Sequence, residues 1–190
     1  RQHNGRVDIR ANTSTAGESG DVTASLFTAT TVELLLPVTA SSDISASGTI
    51  SGQAGITKHS ITGTTDGEAK GDVVYFGGGS GLTVGSICHY NSSGNWELAD
   101  ADAASTSDGL LGVTLATAPS GGILLRGMVT LDHDPGAVGD VLYVSTTAGD
   151  ATATAPSGNG DIVRIIGYCL DASNGQIWFN PDSTFVEVNA

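Results

Sequence analysis

GLLGVTLATAPSGGILLRGMVTL (109–131) and IVRIIGYCLDASNGQIWF (162–179) pack Val, Ile and Leu more densely than any other part of the chain. Their apolar runs are short, and each is cut off by Gly, Pro, Asn or Asp, the punctuation of strands joined by turns. The span from Gly109 to Phe179 is therefore where the sequence places a hydrophobic core.

The composition around it agrees. A chain of 190 residues with 27 Gly, abundant Thr, Ser and Ala, and only 14% charged residues is rich in tight turns and small strand formers, which is an all-β profile. The length allows one or two domains, and the C-terminal two-thirds alone is long enough for an ordinary core. A formal charge of −13 with 7 Lys+Arg excludes nucleic acid as a partner, since too few cations exist to displace counterions from a phosphate backbone. It argues equally against docking on anionic lipid, and assigns the acidity to keeping an abundant surface soluble and self-repelling. Neither a signal peptide nor an 18-residue apolar run is present, so no membrane insertion is expected. The chain opens on Arg1 rather than Met, as a processed or partial product would.

Residues 1–40 contain VDIRA, DVTASLF and TVELLLP, short alternating runs that read as edge or hairpin strands of an attachment or assembly region. Residues 41–67 set Ile44, Ile50, Ile56 and Ile61 singly in Ser, Thr, Gly and Ala. Alone, such a segment buries too little apolar surface to offset its ordering entropy. Several copies wound about a common axis could do so, and the segment reads as an intertwined shaft rather than a flexible linker. Residues 68–190 then form a compact β-barrel or β-sandwich. Within it GDVVYF, GGGSGLTVGS, ICHYN and NSSGNWELADA read as two hairpins, with Ser93-Gly94-Asn95 turning between Tyr90 and Trp96. Gly71-Asp72-Val73-Val74-Tyr75-Phe76 echoes Gly139-Asp140-Val141-Leu142-Tyr143-Val144, through either a duplicated β-unit or common turn chemistry.

Few residues suggest chemistry. The GGGSG run at 77–81 lacks the following helix and the Lys of a phosphate-binding loop. Asp132-His133-Asp134 offers oxygens and an imidazole to a divalent ion, but in a strand Asp132 and Asp134 would share one face and His133 the other, so a polar turn is expected. His3, His59, His89 and His133 have no local partner pattern. No G-x-S-x-G elbow is present, and Glu68, Glu97 and Glu187 are the only Glu after the shaft. Paired carboxylates assemble in space, which leaves glycan cleavage open as a minority reading. No catalytic, cofactor-binding or metal residues are therefore assigned. Trp96, Trp178, Tyr75, Tyr90, Tyr143, Tyr168 and Phe179 read as core or inter-subunit packing, with a sugar-stacking platform as the alternative. Cys88 and Cys169 read as two buried thiols, although a disulfide stays open.

On these residues the chain resembles virion structural proteins of tailed bacteriophages. TASSDISASGTISGQAGI (39–56) is similar to tracts of fibre and fibre-like proteins of marine phages. KGDVVYF, ADADAASTSDGLLGVTL, LLRGMVTLDHDPGAVGDVLYVSTTAG and ATATAPSGNGDIVRIIGYCLDASNGQIWFNPDSTFVEV, within 70–188, resemble a recurrent C-terminal module of such proteins. The order of signatures also looks like that of small β-rich head-decoration proteins that sit as trimers on capsids. The resemblance implies a non-enzymatic virion protein on the exterior of the particle. It implies a homo-oligomer, a trimer, partnered with other tail or capsid proteins and, as a fibre, with a host glycan or surface protein. A capsid decoration or head-fibre protein is the alternative, and a tailspike-type glycan-degrading enzyme a second one.

Overall fold

Residues 64–189 are described by the structure, a computed structural model. The expected N-terminal strands at 1–40 and most of the expected shaft at 41–67 lie outside them. The described chain is all-β, with eleven strands, one turn of α-helix and a 3-10 turn at Pro119–Gly121: β1 Ala69–Val74, β2 Ile87–Tyr90, β3 Trp96–Leu98, α1 Ala104–Ser107, β4 Leu110–Thr114, β5 Ile123–Thr130, β6 Val141–Val144, β7 Ala151–Thr152, β8 Ile162–Val163, β9 Ile165–Asp171, β10 Gln176–Phe179 and β11 Val186–Glu187.

Nine strands form a single antiparallel sheet that curls into a half-barrel. Its organiser is β5, which has three partners. Leu124 pairs with Val73 of β1 and with Val113 of β4, while Met128 pairs with Lys70 of β1 and Trp178 of β10. A residue has one partner on each edge, so β4 and β10 share the edge opposite β1, end to end. From β4 the sheet runs on to β2 and β3; from β10 it runs to β9, β6 and β7. The short β8 and β11 pair separately.

Alternation along the strands divides the side chains between faces. On the inner face Ile87, Leu111, Val113, Leu124, Val129, Leu142, Ile166, Cys169, Ile177 and Phe179 form the main core. A smaller cluster of Leu82, Cys88, Trp96 and Ile123 lies on the other face of β2 and β4. The start of β5 is thus covered on both sides, which is why Ile123, Leu124 and Leu125 form a continuous apolar run rather than an alternating one.

One inner row explains several glycines. Phe179 pairs with Gly127 of β5 and Gly167 of β9, and Gly127 pairs in turn with Gly71 of β1. Gly127 and Gly167 have φ of 144° and 157°, and a Cβ on either would strike the backbone carbonyl of Lys70 or of Trp178. The missing side chains let the neighbouring backbones approach closely in the row that carries Phe179, whose ring is fully buried.

Two sequence expectations need correction. Only β2–β3 is a hairpin of the expected pair; β1 leaves its chain neighbours and lies along β5. The Gly-Asp echo is not repeated in the topology either. Gly71 sits inside β1, which pairs with β5, whereas Gly139 has φ of 89° in the turn before β6, which pairs with β7 and β9.

Candidate functional site

The strongest cluster of polar side chains lies just past β5. The strand ends at Thr130, so residues 131–134 bend rather than alternate. Outside a strand, Asp132 and His133 need not point apart: His133 Nδ1 lies 2.8 Å from Asp132 Oδ1. The second carboxylate is also not the expected one. Asp150, from the turn before β7, reaches within 3.7 Å of His133 Nδ1, and the three ligand atoms lie within 4.8 Å of one another.

That spacing suits a divalent ion, but the hydrogen bonds fix a different occupant. His133 Nε2 lies 2.9 Å from the Ala151 nitrogen and 3.2 Å from the Ala151 carbonyl oxygen; where it accepts the shorter bond from the Ala151 N–H, the ring proton sits on Nδ1. Nδ1–H then donates to Asp132, filling the position an ion would take. Asp132 Oδ2 accepts the Ser86 hydroxyl at 3.1 Å. A nucleophilic serine hands its proton to an imidazole. The Ser86 hydroxyl instead donates its hydrogen bond to a carboxylate, and the chain Ser86–Asp132–His133–Ala151 ties the turn after β5 to β7 and to the segment before β2.

The glycine-rich loop 77–81 also has a packing explanation. Gly77, at φ of 85°, lies against Tyr90 and Trp96, and Trp96 Nε1 donates to the Phe76 carbonyl at 2.8 Å. Phe76, Tyr90 and Trp96 pack as a triad with ring centroids 5.0 to 5.7 Å apart. Trp96 is wholly buried, so its face is closed to a sugar; Phe76, 42% exposed, is the open ring of the triad, and Tyr75, its chain neighbour, is 70% exposed. A shallow depression next to the triad is lined by Gly79, Ser80, Asn95 and Glu97. Trp178 and Tyr168 lie side by side on the outer face of β10 and β9.

Two buried charged or titratable groups complete the inventory. Arg164, between β8 and β9, is 3% exposed. Its guanidinium donates to the carbonyls of Ser107 at 2.7 Å, Gly109 at 2.9 Å and Asp182 at 2.6 Å, the last also accepting from Nε at 3.1 Å. One side chain thereby clips the helix–β4 loop to the C-terminal segment. Burial pulls its pKa down, against the nearby carboxylates of Asp182 and Asp108, yet an arginine keeps its proton in proteins. His89, on β2, is fully enclosed and its Nε2 has no hydrogen-bond partner. Desolvation lowers its pKa, opposed by Glu97 and Asp108; Glu97 Oε2 stands 3.8 Å away.

Cys88 and Cys169 are both buried free thiols in separate core clusters, and burial pushes both thiol pKa values up. That combination describes unreactive packing groups. The residues that sequence reasoning missed are Ser86, Asp150 and Arg164. Arg164 did leave a signal, a lone cation inside the apolar run IVRIIGY; Ser86 and Asp150 left none. Comparison with known protein families, curated proteins and solved structures finds no match for this chain.

Proposed function

We propose that this chain is a non-enzymatic structural protein of a tailed-phage virion, a homotrimeric fibre-like appendage on the particle exterior with the domain at 68–190 as its exposed knob. The observation that carries the reading is how the domain spends its polar chemistry. Ser86, His133 and Arg164 are committed to carboxylate or backbone partners that join distant segments, and the thiols are buried. Such a domain is built to hold shape. The resemblance of 39–56 and 70–188 to virion proteins supplies the setting, and the charge of −13 suits a crowded exterior surface.

A capsid decoration role is the second reading. It is favoured by the order of the signatures GLLGV, GMVTL, GDVLY and IIGY, which falls on β4, β5, β6 and β9 of one domain. Imaging of particles labelled with antibody against residues 68–190 separates the two. Label on the tail supports the fibre, label across the head supports decoration, and unlabelled particles overturn both. Release of reducing ends from host polysaccharide by the purified chain would instead establish the glycan-degrading alternative.

A further inference from the structure

We infer that the outer edge of β1 docks a second copy of this chain across a two-fold axis centred on Gly71. The inference goes beyond the virion reading and does not depend on it.

Among the described residues β1 pairs only with β5, so its other edge offers unpaired backbone groups along Ala69–Val74. The direction of those groups is fixed. Thr130 N–H donates to the Glu68 carbonyl; by the alternation of an antiparallel ladder, Lys70 and Asp72 also face β5, while Ala69 and Gly71 face outward. A self-pairing ladder therefore has its hydrogen-bonded centre at an outward residue such as Gly71.

Charge then selects that register. Natural proteins block open edges with a lysine, which repels its own copy. Here the edge carries Lys70-Gly71-Asp72, with Lys70 and Asp72 both exposed on one face. Centred on Gly71, a two-fold sets each Lys70 against the other copy's Asp72, twice, at the closer non-hydrogen-bonded positions. A centre on Lys70 would oppose two lysines, one on Asp72 two carboxylates, and one on Ala69 would set Asp72 against Asp66. The spacing thus rewards one isologous arrangement.

The wider charge distribution points to the same place. Residues 1–63 hold five of the chain's acidic and four of its basic side chains, leaving 15 Asp+Glu against 3 Lys+Arg in the rest. Arg164 is buried, so Lys70 and Arg126 are the exposed cations, and Arg126 lies opposite Asp72 across β1 and β5. Neither Lys70 nor Asp72 forms an ion pair among the described residues. Among the described residues the exposed cations thus lie with Asp72 at the longest open strand edge, next to the apolar row Met128, Trp178, Tyr168 and Val141.

The test is the mass of the full chain by sedimentation in low salt, wild type against Lys70→Glu, Asp72→Lys and the double exchange K70E/D72K. Both side chains are exposed, and circular dichroism checks that each variant keeps its fold. The wild type should contain an even number of copies, each single variant should show half that mass, and the double exchange should restore it. The halving starts from a dimer of trimers if the upstream isoleucines trimerise and from a dimer if they do not, so failure of the trimer leaves this test intact. Unchanged mass in the single variants, or no restoration in the double, overturns the inference. Carbodiimide coupling of mixed ¹⁴N and ¹⁵N chains gives a second reading: Lys70–Asp72 links carrying both labels support it, and links of one label alone refute it.

Discussion

His133 Nε2 accepts the Ala151 N–H at 2.9 Å, and while it does so the ring proton stays on Nδ1, 2.8 Å from Asp132. Metal coordination at Nδ1 would displace its hydrogen bond to Asp132 and move the ring proton to Nε2, where only the longer contact to the Ala151 carbonyl could take it and the Ala151 N–H would lose its acceptor. Millimolar Zn²⁺ or Ca²⁺ should therefore move the melting temperature by no more than about 1 °C, because a ligand stabilises only in proportion to its binding to the folded state. His133→Ala should cost about 1–2 kcal/mol through the orphaned Ala151 N–H and Asp132. A rise of several degrees with either ion would show that the cluster is a metal site.

Arg164 offers a larger effect. Arg164→Met leaves the carbonyls of Ser107, Gly109 and Asp182 without their donor, and urea unfolding should show a loss of about 3 kcal/mol. Arg164→Lys should recover little of it, since a single ammonium cannot reproduce the planar fork. A loss under about 0.5 kcal/mol in Arg164→Met would mean that the clip contributes nothing to stability.

His89 should make the protein acid-sensitive. Its folded pKa is depressed below 6.5 mainly by desolvation, so between the folded and the ordinary value the unfolded chain binds the extra proton. Stability is then full above about pH 7 and falls as pH drops through 6.5 toward the folded pKa. Thermal melts from pH 7.5 to 5 should show this slope, and His89→Gln should flatten it. Equal slopes in the two proteins would assign the acid sensitivity elsewhere.

Gly127 tests the row that holds Phe179. Gly127→Ala places a methyl against the Lys70 carbonyl at a positive φ, and should cost about 2–4 kcal/mol. Gly139→Ala also has a positive φ but open space around the new methyl, so strain alone, about 1 kcal/mol, is expected. Comparable losses in denaturant midpoints would remove the steric argument.

The sequence made the strands legible where apolar runs were long and punctuated, as in LLGVT, VLYV, IIGYCLD and QIWF. It could not show their partners. β1 and β5 meet because Gly71 and Gly127 let two backbones approach, a property of the pair that neither segment displays alone. Two-residue strands such as β7, β8 and β11 are too short to carry a period. The polar cluster was half legible: Asp132 and His133 are neighbours in sequence, while Asp150 arrives only through the β6–β7 turn.

The shared edge of β5 also governs when this protein can be made. β4 covers one end of that edge early in synthesis, but the other end waits for β10, and the Arg164 clip waits for Asp182. A ribosome must therefore release nearly the whole domain before its core can close. A transcript truncated after residue 175 would deliver a chain with Gly127–Thr130 bare along one side, ready to pair with whatever nascent strand lies nearest.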